Sequence, residues 1–183
     1  MRDTVDNQSR FEICNTFGRW IAFSGTRSGC PLKSRSDIYP LINDVNFDLI
    51  LKGNEPISKQ EFNDWHSMYS ELIKQKEPRL PIGWTTKLIN LYLKSMVYVG
   101  LFGRPNLVQF IHPPIDKGLW DGIAERFGND DEIISKTHSK TKIKNIVEYD
   151  DYRLIIDGIE LIANKENWLL IEVEQLWKGT EYK

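Results

Sequence analysis

The chain has 183 residues and a net charge of −2, with 40% hydrophobic and 27% charged side chains. Those fractions are ordinary for a folded domain and exclude a disordered tail, a collagen and a disulfide scaffold. The near-neutral total also excludes a wholly basic nucleic-acid coat and a strongly acidic mimic.

Cys14 and Cys30 form no Cys-x-x-Cys pair, which fits two reduced thiols in a cytoplasmic protein. His66, His112 and His138 lie far apart without ligand spacing, so neither a metal nor a cofactor is expected. The opening MRDTVDNQSRFEIC lacks the apolar segment of a secretory signal. The most apolar stretch, Leu88 to Phe102, is interrupted by Asn90, Lys94 and Ser95 and is too short and polar to cross a bilayer. No membrane partner is therefore expected.

Periodicity predicts an all-α chain, one domain over 1–183, with either one core or two lobes around a central buried helix at about 84–102. In residues 9–23, Phe11, Cys14, Phe17 and Ile21 recur at helical spacing. Residues 25–31 are a loop by their Gly and Pro content. Lys33-Ser34 gives this loop a faint likeness to a phosphate loop, but Leu32 stands where the motif needs Gly. Residues 37–52 form one or two short helices, divided near Pro40 and Asn43. Ser58-Lys-Gln-Glu61 reads as a capping box, opening a helix with Phe62, Trp65, Tyr69, Leu72 and Ile73 on its apolar stripe. Pro78 ends it.

A tight turn over 79–84 leads into the nearly all-apolar helix 84–102, whose polar positions Lys87, Asn90 and Lys94 form one stripe. That stripe faces either solvent or a cleft. Residues 107–111 are extended or irregular. His112-Pro-Pro-Ile-Asp116 then opens a helix over 117–127, with Asp116 as its N-cap. A lysine-rich connector covers 133–147. Two helices close the chain at about 148–164 and 167–178, with a strand over 168–173 as the alternative.

Charge is unevenly spread. Residues 79–147 carry net +4, against −1 before them and −5 after them. A basic middle of this size suffices for a modest phosphate-binding face that includes Lys140 and Lys142, although such runs are commonly plain solvated surface.

Leu80-Pro-Ile-Gly83-Trp84-Thr-Thr-Lys87, together with Pro114-Ile-Asp116 and the following Trp120, Ile123 and Phe127, resembles the helix-hairpin-helix DNA glycosylase superfamily. The likeness covers about residues 79–128. It implies that Lys87 is an amine nucleophile forming a Schiff base with the sugar, and that Asp116 activates it. It further implies that the turn around Gly83 and Trp84 holds a DNA phosphate with backbone amides. The target base would be flipped out of the stack toward Trp84 and Trp120, with His112 adding a polar contact. Only one of the family's two hairpin glycines is present, as Gly83, and Lys87 lies farther from it than usual. Lys94 is therefore the alternative inward lysine. The acidic C-terminal third would have to face away from the DNA. A non-catalytic all-α nucleic-acid-binding module and an α-helical interaction protein are the competing readings.

Overall fold

The computed structural model describes residues 6–26 and 29–179. Among these residues there is no strand, and the chain is all-α. The helices are α1 (Asn7–Thr26), α2 (Arg35–Asn43), α3 (Asp48–Leu51), α4 (Lys59–Lys76), α5 (Ile82–Leu93), α6 (Lys117–Phe127), α7 (Asp131–Thr137) and α8 (Tyr149–Glu166). No helix among the described residues is long and apolar enough to cross a membrane.

Every residue of α5 is buried. Its sequence is apolar nearly all round, so no face is suited to solvent and the helix becomes the axis of the molecule. Two apolar clusters meet at it. One gathers α1, α2, α4 and most of α5, with Phe62, Trp65, Leu88 and Leu93 among its members. The other gathers α6, α7 and α8 around Ile123, Tyr152, Ile156 and Ile159, and takes Ile82 from the start of α5.

The long central helix expected over 84–102 is shorter. After Leu93 it widens into a π-helical turn, Lys94–Val99, in which the Gly100 amide reaches back five residues to Ser95 O at 2.9 Å. Leu101 then adopts a positive φ of 60° and ends the element. Such wide turns occur mostly as short inserts and frequently at functional sites.

Other local expectations shift for identifiable reasons. The break in 37–52 falls after Asn43, because Pro40 is accommodated inside α2. Ser58 caps α4 by accepting the Glu61 amide at 3.1 Å, but the reciprocal half of the box is missing. The Glu61 carboxylate goes instead to Arg104, at 2.5 Å. A complete capping box forms at Ser34 and Asp37, so the loop-like Lys33-Ser34 pair serves to open α2. The connector over 133–147 contains α7, capped by Asp130 through the Ile133 amide at 3.2 Å. The closing segment is neither an α-helix nor a strand: Leu170–Leu176 is a 3-10 helix.

This closing segment crosses α6 through glycine. A Cβ on Gly122 would lie 1.7 Å from Leu176 O, and one on Gly118 would lie 2.5 Å from the Trp177 indole nitrogen. Each glycine costs about 1 kcal/mol of helix propensity relative to alanine, and both positions use the freed space for a close backbone approach.

Candidate functional site

Lys87 and Asp116 reach the same point from opposite sides. Lys87 rises from the middle of α5 and is 7% exposed. Its Nζ donates to Asp116 Oδ2 at 3.0 Å and lies 5.7 Å from the centre of the Trp84 ring. Asp116 is the N-cap of α6: its Oδ1 accepts the Leu119 amide at 3.2 Å. The same oxygen accepts the Trp177 indole N–H at 2.9 Å. One carboxylate oxygen is thus held by two neutral donors, and the other is turned to the lysine.

The pair lies on the wall of a cavity of about 1180 Å³ between α5, the start of α6, the 141–144 segment and the tail around Trp177. That volume is above the roughly 300–1,000 Å³ of ordinary small-ligand pockets. Trp84 and Trp120 also line it; each is 4% exposed. Trp120 is fixed by its indole N–H, which donates to Thr137 O at 2.8 Å.

Lys94 lines the same cavity and is paired with Glu174 at 2.6 Å. Burial pushes the Glu174 carboxyl up, and the adjacent ammonium opposes that push. The acidic C-terminal third therefore does not face away from the basic middle. Glu174 enters the cavity, and Arg126–Glu166 and Lys140–Asp151 form further pairs between these segments, at 2.5 and 3.4 Å. The segmental charge excess is largely cancelled in three dimensions.

The remaining predicted residues separate. Lys142 is exposed on the cavity rim and makes no ion pair among the described residues, whereas Lys140 is not part of the lining. Gly83 does not present a free amide to a phosphate. Its N–H donates to Ile146 O at 3.0 Å, and a Cβ there would lie 2.2 Å from Ile143 O. The 143–146 backbone occupies the face that a phosphate would need, and the single glycine exists to admit it. The neighbouring Trp84 amide is used within the turn, bonded to Pro81 O at 2.9 Å.

His112 is 1% exposed and lies in the core, outside this cavity. Asn90 leaves the predicted stripe and joins it there. The Asn90 Oδ1 accepts from His66 Nε2 at 2.9 Å. Its Nδ2 donates to Tyr152 Oη at 2.9 Å and to Pro113 O at 3.4 Å. Tyr152 Oη in turn meets His112 Nδ1 at 2.9 Å, and Tyr149 Oη meets His66 Nδ1 at 2.7 Å. This buried network anchors the His112–Pro114 segment that delivers Asp116 to α6.

Two residues of the site escape motif reading: Trp177, which the sequence places only within a closing helix over about 167–178, and Glu174. A signal for the first does exist. Gly118 and Gly122 recur one turn apart inside a helix that needs neither for its own backbone, which marks a close approach by another segment. Compared with known proteins, the chain matches no family model, no curated protein and no solved structure.

Proposed function

We propose that the protein is a DNA glycosylase with lyase chemistry, acting on a damaged base flipped into the Lys87–Asp116 cavity. One observation carries this reading: a lysine 7% exposed, held 3.0 Å from a helix-capping carboxylate, on the wall of a cavity that two buried tryptophans also line. Taking a lysine out of water is costly, and a buried lysine that meets a carboxylate at a cavity wall is a candidate for chemistry.

In the reaction, Asp116 Oδ2 takes a proton from the Lys87 ammonium, and the neutral amine attacks the sugar C1′. The bond from C1′ to the base nitrogen breaks, its electron pair leaves with the base, and the base takes up the proton that Asp116 Oδ2 holds, which restores the carboxylate. The positive charge that builds on the sugar lies beside the Asp116 carboxylate. Asp116 then takes a proton from the bound nitrogen and passes it to the ring oxygen as the C1′–oxygen bond breaks, leaving a sugar hydroxyl and a protonated imine to Lys87. Trp84 and Trp120 supply the flat walls for the extruded base. Lys142, on the rim, offers a contact to the DNA backbone. Neither Gly83 nor His112 takes part, for the reasons above.

Incubation with duplexes carrying abasic sites or oxidised, alkylated or deaminated bases, with borohydride present, tests this. Hydride adds to the imine carbon and fixes the lysine to the DNA. A covalent adduct is expected from the native chain and from Lys94→Ala, and none from Lys87→Ala. Absence of an adduct with every substrate overturns the enzyme reading. Salt-dependent binding without an adduct would instead leave a binding module.

Trp177→Phe is expected to slow adduct formation about tenfold or more, the worth of one hydrogen bond to a charged group. The phenyl ring keeps most of the packing, so the melting temperature serves as a control. Unchanged trapping kinetics would remove Trp177 from the site.

A further inference from the structure

A second cavity, of about 360 Å³, lies between α4, the 3-10 turn Leu107–Gln109 and the C-terminal half of α8. It shares no lining residue with the Lys87 cavity. One of its lining residues is His112, a side chain 99% removed from solvent by its 1% exposure. The buried network decides what that histidine presents.

Only one arrangement of the network gives every tyrosine hydroxyl proton an acceptor. Asn90 Nδ2 must face Pro113 O and Tyr152 Oη, since a carbonyl cannot donate. Asn90 Oδ1 is then an acceptor, so His66 carries its proton on Nε2 and accepts from Tyr149 on Nδ1. Tyr152 Oη, already accepting from Asn90, gives its own proton to His112 Nδ1. His112 therefore holds its proton on Nε2, and that N–H finds no hydrogen-bond partner among the described residues. Burial keeps both imidazoles well below their ordinary range and hence neutral. His112 lines the cavity, and the cavity is where a partner for that N–H can stand.

The lining specifies that partner. Asn63 Oδ1 is taken by Arg153 at 3.1 Å, which leaves its amide N–H₂ as a second donor. Lys59 pairs with Glu160 Oε2 at 2.7 Å, and Glu160 Oε1, buried without a hydrogen-bond partner among the described residues, is open to a ligand N–H. Trp168 and Phe110 supply flat walls, and the exposed Gln109 and Asn164 offer amide oxygens at the mouth. We infer that this cavity binds a small, neutral, planar heterocycle bearing an amide or lactam carbonyl, of the uracil or nicotinamide kind, with the carbonyl on His112 Nε2–H and the ring against Trp168. The volume is at the low end for ligand pockets and holds one ring system, without a phosphorylated tail.

Imidazole-selective ¹H–¹⁵N spectra of the full chain, titrated with uracil and separately with nicotinamide, test the inference. The free protein should show His112 protonated on Nε2. At least one of the two rings should displace the His112 and Trp168 resonances saturably, at millimolar concentration. Propionamide, acetate and inorganic phosphate should leave them in place. Asn164→Phe, at an exposed position, should plug the mouth and weaken binding about tenfold or more. His112 protonated on Nδ1, no saturable displacement by either ring, an equal response to propionamide, or an unaltered response in Asn164→Phe each overturns it. Borohydride trapping at Lys87 is independent of all these outcomes.

Discussion

Asn90→Ala should be among the most destabilising single changes available in this chain, costing about 3–5 kcal/mol. Asn90 is 0% exposed and serves three partners at once: His66, Tyr152 and Pro113 O. Removing its amide strands the His66 Nε2–H and takes a donor from Tyr152, while both groups stay buried. It also leaves a void in the helix at which the two apolar clusters meet. At about 2–4 °C per kcal/mol for a chain of this size, the melting temperature should fall by about 6–20 °C. Thermal unfolding followed by circular dichroism measures this. A shift within about 2 °C would mean that the network carries little of the stability.

Stability should also fall between neutral and mildly acidic pH. Burial pulls the His66 imidazole from 6.5 down to about 4, and His112 moves well below 6.5 for the same reason. The unfolded chain binds a proton at each group near 6.5, and the folded chain does not. The stabilisation is therefore complete above 6.5 and is lost progressively as pH falls toward about 4, where folded His66 begins to protonate. His66 alone accounts for about 3 kcal/mol across that window, and His112 adds in the same direction. Acidic groups with lowered values, such as Glu61 beside Arg104 and Asp130 beside Lys165, add their losses at the acid end. Urea unfolding at a series of pH values measures the trend. A midpoint that stays constant from about pH 7 to pH 5 would contradict buried, neutral histidines.

What the sequence made legible was short in range. The bounds of α4 and α6, the Asp116 cap and the buried character of the central helix follow from spacing and end signals a few residues apart. The meeting of Lys87 with Asp116 was expected only through family likeness, and the two groups do touch. Three other features needed the third dimension. Lys87 and Asn90 are both polar and near one another on the helix wheel, yet one reaches a cavity and the other the core. Only the partners brought by α4 and α8 distinguish them. Glu61 prefers a distant arginine to its own cap, because a charged partner outweighs a backbone amide. Gly83 admits a backbone segment and so is unavailable to a phosphate, a consequence of Ile143 and Ile146 that no local motif encodes.

The tail bearing Trp177 gives the site a property that its short motif lacks. Lysine and aspartate are 29 residues apart, but the indole on the carboxylate comes from 61 residues beyond it. That contact closes a long loop and is carried next to a 3-10 helix, a marginal element with poor hydrogen-bond geometry. Such segments open locally at a fraction of the global unfolding free energy. The fraction of molecules with Asp116 fully oriented therefore equals the fraction with the tail docked. A fragment cut around the lysine and aspartate would keep both charged groups and lose the constraint that aligns them.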